Sequence, residues 1–300
     1  MTTTLDPADR GLVVSATDGP ALAATVRGDD DSALTVVYVH GMLTDRGFWD
    51  PLIAELTSAL AGRVRQLRYD VRGHGHSLWP IHSARTPLHV LADDLAAVVD
   101  HLEGPVLLVG HSFAGYAVLE YARRHHDQLS ARIRGVVLFN SAAEAPALPV
   151  MAKFAQVSRR INWMRCTPLD KLNAWVHRRM GAQLAAMAAA KPGRAQLIPS
   201  ALPVDARVTA DIVADMTRLT IDPTIGAAVA DIPVYVVAGE NDRVFSTEQA
   251  LRLAAELDAH VQVVPEAGHS LPQVKPRLAA PILLSVLAEL AAVEPEMIAC

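Results

Sequence analysis

Val106-Leu107-Leu108-Val109-Gly110-His111-Ser112-Phe113-Ala114-Gly115 is the stretch from which the rest of the chain is read. Its first four residues are aliphatic at consecutive positions, the pattern of a strand buried on both faces of a parallel sheet. A helical pattern follows at once, from Ser112 to Arg124. Strand, sharp turn and helix in that order place Ser112 in a strained backbone conformation that lifts its hydroxyl above the sheet. Close packing of the strand against the helix asks for small residues two positions before and two after the serine. Gly110 meets the first demand; the second position is Ala114, with Gly115 beside it offering further room. A helix N-terminus also leaves backbone N–H groups without partners. The Phe113 amide can therefore face a developing oxyanion, with the helix dipole behind it. Taken alone, the serine has a second reading as a helix N-cap.

Outward from this turn, short β-branched runs alternate with Ala- and Leu-rich stretches at helical spacing. The runs are Leu34–Val39, Val64–Tyr69, Val136–Phe139, Val234–Val237 and Val261–Val264; the helical stretches are Phe48–Leu60, Pro87–Leu102, Thr247–Leu257 and Pro276–Ala291. The alternation predicts an α/β doubly wound, mostly parallel sheet with helices on both faces. Val13–Ser15 and Leu22–Arg27 read as an antiparallel starting hairpin turned at Asp18-Gly19. Between Ala143 and Asp222 the alternation stops. Lys153–Arg160, Leu169–Arg179 and Gln183–Ala190 are helix-like, broken by Pro168, Pro192, Pro199 and Pro203, with no strand pattern among them. A structureless run of that length inside a compact domain is unusual, so the segment reads as an all-helical insertion. The chain thus divides into a first core part at 1–142, a helical cap at 143–222 and a second core part at 223–300.

Leu34–Val39 runs into His40-Gly41-Met42. A glycine there permits a tight turn above the strand ends, which makes the Met42 amide a candidate second oxyanion donor and its side chain a pocket lining. His40 reads as a turn residue held by backbone hydrogen bonds. Val64–Tyr69 is followed by Asp70-Val71-Arg72-Gly73-His74-Gly75-His76-Ser77, whose Asp and Gly residues read as fixing a turn.

Together these motifs resemble the α/β-hydrolase superfamily, in its serine-nucleophile esterase, lipase and haloperoxidase-like branch. The resemblance runs from about Thr35 to Ser141 and resumes at Ile232. The middle resembles the family's cap in position and helical character. The resemblance implies an eight-stranded sheet of the α/β-hydrolase fold, with a nucleophile, an acid and a histidine base in that chain order. Ser112 is the implied nucleophile. Asp242, in the loop after Pro233–Ala238, falls where the family carries its acid; Glu240 and Glu144 are competitors. His269, in Gly268-His269 after Val261–Val264, matches the family's histidine loop. Of the twelve histidines it alone combines a late position, a post-strand loop and a preceding glycine. His111 adjoins Ser112 with its side chain expected to point away, and His125 and His126 read as solvated cations at a helix end.

A serine hydroxyl needs a base within hydrogen-bond reach, and the base needs a partner to fix its tautomer. With Met42 and Phe113 as donors, the expected chemistry is acyl transfer on a small or medium carboxylic ester. A thioester, a lactone, perhydrolysis or cleavage of a C–C bond would use the same groups. A non-catalytic small-ligand binder on this fold is the reading of another class. Relatives with an aspartate nucleophile, the haloalkane dehalogenases and epoxide hydrolases, are excluded by a serine at 112. The Met-, Leu- and Ala-bearing insertion suggests an apolar substrate, with Trp163, Met164, Trp175 and Met180 as candidate lining residues beside Met42; packing the cap onto the core is their alternative use.

Composition narrows the rest. In 300 residues, 51% are hydrophobic but only 5% aromatic, so a large core must be built from Val, Leu, Ile and Ala. A net charge of −5 gives no reason to expect a nucleic-acid partner. Two cysteines, Cys166 and Cys300, make neither a disulfide framework nor a metal spacing. No metal and no organic cofactor is therefore expected, and the cysteine usage suits a reducing cytoplasm. A polar, acidic Met1–Arg10 lacks the pattern of a signal peptide, and no apolar run is long enough for a membrane span. The heavy preference for arginine, with only Lys153, Lys171, Lys191 and Lys275 as lysines, suggests a GC-rich bacterial genome.

Overall fold

The computed structural model describes residues 8–16, 21–77, 86–144, 204–216 and 223–293. Strands β1 (Arg10–Ser15), β2 (Ala21–Arg27), β3 (Leu34–Val39), β4 (Val64–Tyr69), β5 (Val106–His111), β6 (Ile133–Phe139), β7 (Val234–Gly239) and β8 (His260–Val264) form one sheet. Their order is β1-β2-β4-β3-β5-β6-β7-β8. β1 pairs antiparallel with β2, and β2 antiparallel with β4; every later pairing is parallel. The starting hairpin and the parallel body therefore stand where the apolar pattern puts them. The Asp18-Gly19 turn falls outside the described residues.

The helices are α1 (Asp50–Leu60), α2 (Leu88–Asp100), α3 (Ala114–Arg124), α4 (His126–Arg132), α5 (Ala206–Met216), α6 (Pro223–Val229), α7 (Thr247–Glu256), α8 (Leu271–Val274) and α9 (Pro276–Val293). Successive strand side chains point to opposite faces, so Leu108 joins a core with α2, α3 and α5 to α7. Leu107 and Val109 join a second core with α1, α8 and α9. Burial on both faces explains why β3 and β5 are largely apolar, Val36–Val39 and Val106–Val109 being the unbroken runs within them. β4 is equally buried although it contains Arg65, Gln66 and Arg68. Each of these is paired: Tyr38 Oη donates to Gln66 at 3.0 Å, Arg65 to Thr35 Oγ1 at 3.0 Å, and Arg68 Nη2 meets Asp9 at 2.6 Å.

Three boundaries differ from the sequence reading. A 3-10 turn at Arg46–Trp49 precedes α1, which starts with Pro51 in its first turn, where a missing N–H costs nothing. α3 begins at Ala114 rather than Ser112, because Ser112 has φ +57, incompatible with a right-handed helix. His126 opens a separate helix, α4, rather than ending α3. Of the insertion expected at 143–222, the described parts are residues 143, 144 and 204–216; the helices expected at 153–190 lie outside the described residues. Among the described residues no helix is long and apolar enough to cross a membrane.

β4 and β5 flank β3 on opposite sides, so the chain winding reverses between β3 and β5. The crevice at the carboxyl ends of two such strands is where open α/β sheets bind ligands. His40-Gly41-Met42 leaves β3 and Ser112 leaves β5 at that point.

Candidate active site

The turn after β5 bears out the strain expected of it. Ser112 sits at φ +57 with its amide donating to the Phe139 carbonyl at 2.9 Å. Its own carbonyl accepts from Gly115 N and from Ser141 Oγ at 3.0 and 2.8 Å. The residue that cannot grow is Gly115: a Cβ there would lie 2.5 Å from Ser141 Oγ. At Gly110 a Cβ would meet the Gly115 amide at 3.4 Å. Ala114 is fully buried and accommodated, so the demand for a glycine falls one position later than the spacing suggested.

The β3 loop crosses this turn closely. A Cβ on Gly41 would lie 2.5 Å from His111 Nδ1 and 3.3 Å from Ser112 Cβ, so a larger residue would push Met42 away from the serine. Thr44 Oγ1 donates to the Gly41 carbonyl at 2.7 Å. His40 also serves the turn: Nδ1–H donates to the Gly41 carbonyl at 2.8 Å and Nε2 accepts from Val71 N at 2.9 Å. Burial brings its pKa down to about 4, so it stays neutral. The amides of Met42 and Phe113 make no hydrogen bond to another described residue, as required of donors reserved for a ligand.

His269 and Asp242 come from the loops after β8 and β7. His269 Nε2 lies 3.0 Å from Ser112 Oγ, and its Nδ1 lies 2.8 Å from Asp242 Oδ2. A carboxylate only accepts, so Nδ1 carries the proton and Nε2 accepts from the serine hydroxyl. All three residues are buried. Asp242 Oδ1 accepts from Val244 N at 2.7 Å and Phe245 N at 3.1 Å, which fixes the carboxylate plane. The close approach of the two loops depends on Gly239, where a Cβ would meet the Ala267 carbonyl at 2.6 Å. The competing carboxylates are turned elsewhere. Glu240 accepts from the Glu266 amide at 2.9 Å, and the exposed Glu144 faces Arg252 at 3.7 Å.

Two neighbours escaped sequence reasoning. His111 Nε2–H donates to the His269 carbonyl at 2.8 Å, so its ring holds the loop that carries His269. Asn140, at the carboxyl end of β6, donates from Nδ2 to Asp242 Oδ2 at 2.9 Å. Its place at the same sheet edge as the other loops was the signal available. Trp163, Met164, Trp175 and Met180 lie outside the described residues.

The Asp70–Ser77 segment is structural. Asp70 accepts from Arg46 N at 2.8 Å and His76 N at 2.7 Å, and a Cβ on Gly75 would strike its carboxylate. Arg72 makes a buried bidentate pair with Asp94 of α2. His74 is buried, with Nδ1 3.2 Å from the Arg72 carbonyl; burial first, then the neighbouring His40, lowers its pKa to about 4. His125, expected to be solvated, meets Asp93 at 2.8 Å.

The profile of the alpha/beta hydrolase family matches residues 36–281. The chain belongs to that family. As an alpha/beta hydrolase it is similar to a probable oxidoreductase, EphD, of Mycobacterium tuberculosis, with 38% identity over 115 residues, 37% of this chain and 18% of the relative. The chain thus spans less than a fifth of that relative's length. Lipase LipV of Mycobacterium tuberculosis is 25% identical over 271 residues, 84% of this chain and 92% of the relative. Among solved structures, a thermophilic esterase from Thermogutta terrifontis superposes with a TM-score of 0.70 at 23% identity, over 94% of this chain and 99% of that one. That likeness is one of fold.

Proposed function

We propose that this alpha/beta hydrolase is a serine hydrolase that cleaves a small or medium carboxylic ester through an acyl intermediate on Ser112. The observation that carries the reading is the continuous contact from Ser112 Oγ to His269 Nε2 at 3.0 Å and from His269 Nδ1 to Asp242 Oδ2 at 2.8 Å, buried at the winding reversal of the sheet. Ser112 Oγ attacks the ester carbonyl as Nε2 takes its proton. Asp242 holds the imidazole in the required tautomer and offsets the charge that forms on it. The Met42 and Phe113 amides hold the oxyanion, a contribution worth about a hundredfold to a thousandfold in rate per donor. His269 returns the proton to the leaving alkoxide, then draws one from the water that frees the acyl group.

The lipase relative, matched over 84% of this chain, supports ester cleavage. The oxidoreductase is matched over too little of its length to bear on this chain. Of the expected cap, the described helix α5 docks on the N-terminus of α2: Asp211 accepts from the Thr86 amide at 2.8 Å and Asp215 from the Leu88 amide at 2.9 Å. The test is hydrolysis of p-nitrophenyl acetate and butyrate by the wild type and Ser112→Ala. Turnover lost in the variant supports the reading; equal turnover in both, or none in the folded wild type, refutes it.

A further inference from the structure

We propose that Asn140 is a positioning residue that ties Asp242 and the His269 loop together, an inference that rests on the hydrolase reading above. Asn140 follows Phe139 at the end of β6, and its own amide donates to Val237 O of β7 at 2.7 Å. Its φ of +50 is in the left-handed region, which asparagine tolerates better than most residues. The side chain is 1% exposed. Its Nδ2 donates to Asp242 Oδ2 at 2.9 Å and to the Gly268 carbonyl at 3.3 Å. One amide group from β6 thus reaches the acid after β7 and the residue preceding His269 after β8.

The orientation of that amide is determined. Rotating it by half a turn would set Oδ1 against two acceptors. In the observed orientation Oδ1 is buried with no hydrogen-bond partner among the described residues, and both N–H groups are aimed at acceptors. The donated hydrogen bond completes a set of four on Asp242: Val244 N and Phe245 N on Oδ1, His269 and Asn140 on Oδ2. Asn140 therefore shares with His269 the oxygen whose charge stabilises the imidazolium. An aspartate at 140 would have nearly the same shape but would place a second negative charge beside that oxygen. The two carboxylates would repel or share a proton, and either way Asp242 would no longer hold His269 as it does beside an amide. Asp242 from the β7 loop, Ser112 and the neutral His111 from the β5 end, and Phe245 face the His269 ring; neither variant below replaces any of them.

The experiment compares wild type, Asn140→Ala and Asn140→Asp. Measured are kcat and KM for p-nitrophenyl butyrate, the pH profile of kcat/KM, thermal melting, and the rate of fluorophosphonate labelling at Ser112. For Asn140→Ala, kcat is expected to fall roughly tenfold or more with KM little changed, the scale seen when an orienting partner is removed. For Asn140→Asp, kcat is likewise expected to fall with KM little changed. A variant matching wild type in kcat, or losing activity only in proportion to its folded fraction, overturns the inference. If Asn140→Asp does not fold, the kcat and KM of Asn140→Ala decide alone. Wild-type protein that is folded but unlabelled overturns the hydrolase reading and this inference with it; a labelled wild type with unaffected variants overturns this inference only.

Discussion

His111 stands behind His269: its Nε2–H donates to the His269 carbonyl at 2.8 Å, and the two rings lie 5.0 Å apart. Burial, reinforced by His269, pushes the His111 pKa well below its ordinary value, so the ring stays neutral beside the histidine that takes up a proton in the proposed mechanism. Phe48 stacks on its other side at 4.3 Å. His111→Phe keeps an aromatic ring, somewhat larger, and removes the donor. A buried carbonyl would lose its partner, at a cost of about 1–3 kcal/mol. Urea unfolding should show that loss together with a reduced kcat; an unchanged midpoint and rate would remove the anchoring role.

The steric demand of the nucleophile turn falls on Gly115. Gly115→Ala places a methyl 2.5 Å from Ser141 Oγ and 2.8 Å from Ser141 Cβ. Ser141 is itself buried and holds the Ser112 carbonyl, so it cannot retreat freely. The expected destabilisation is about 1–3 kcal/mol, with loss of activity. Ala114→Gly, which would restore the family spacing, is expected to cost no more than about 1 kcal/mol of helix propensity and to leave activity intact. Equal tolerance at both positions in paired melting and activity assays would contradict this account of the turn.

Acid should weaken the fold through His40 and His74. Both have a pKa near 4 in the folded chain, held down by burial, against 6.5 in the unfolded chain. Between those values the unfolded chain binds protons that the native chain refuses. The stability is therefore fully present above pH 6.5 and is lost as pH falls towards 4, by up to about 3 kcal/mol for one such histidine. The rings are neighbours, 5.3 Å apart, so their effects do not simply add. Melting temperatures measured from pH 7.5 to 4.5 should fall, and fall less steeply in His74→Asn. An identical slope in the two proteins would show that His74 is not one of the groups responsible.

Asp242→Asn preserves shape while replacing an acceptor-only group by one that can present N–H to His269. The imidazole then loses the partner that fixes its tautomer, and kcat is expected to fall by about four orders of magnitude. Glu240→Gln, on the carboxylate that accepts from the Glu266 amide instead, is expected to leave kcat near wild type. A reversal of that ranking would move the acid to Glu240.

The parts legible in the sequence were those written into a single segment. Val106–Val109 is apolar throughout because β5 is buried on both faces, and the glycines beside Ser112 announce a turn before any neighbour is known. The choice between Asp242 and Glu240 was not local. Two residues apart, they are separated only by which one faces the loop after β8. Asn140 and His111 were harder still, since each acts on a strand other than its own, and a hydrogen bond across strands leaves no spacing to read. Val64–Tyr69 reads as a strand and is one, yet the pairing of its Arg68 with Asp9 leaves no signal within that run.

The most direct test is covalent. Folded protein treated with a fluorophosphonate and digested should yield one modified active-site peptide, with the adduct on Ser112, and Ser112→Ala should yield none. An adduct that persists in Ser112→Ala, or a folded wild type that stays unmodified, would contradict the claim that His269 makes the Ser112 hydroxyl reactive.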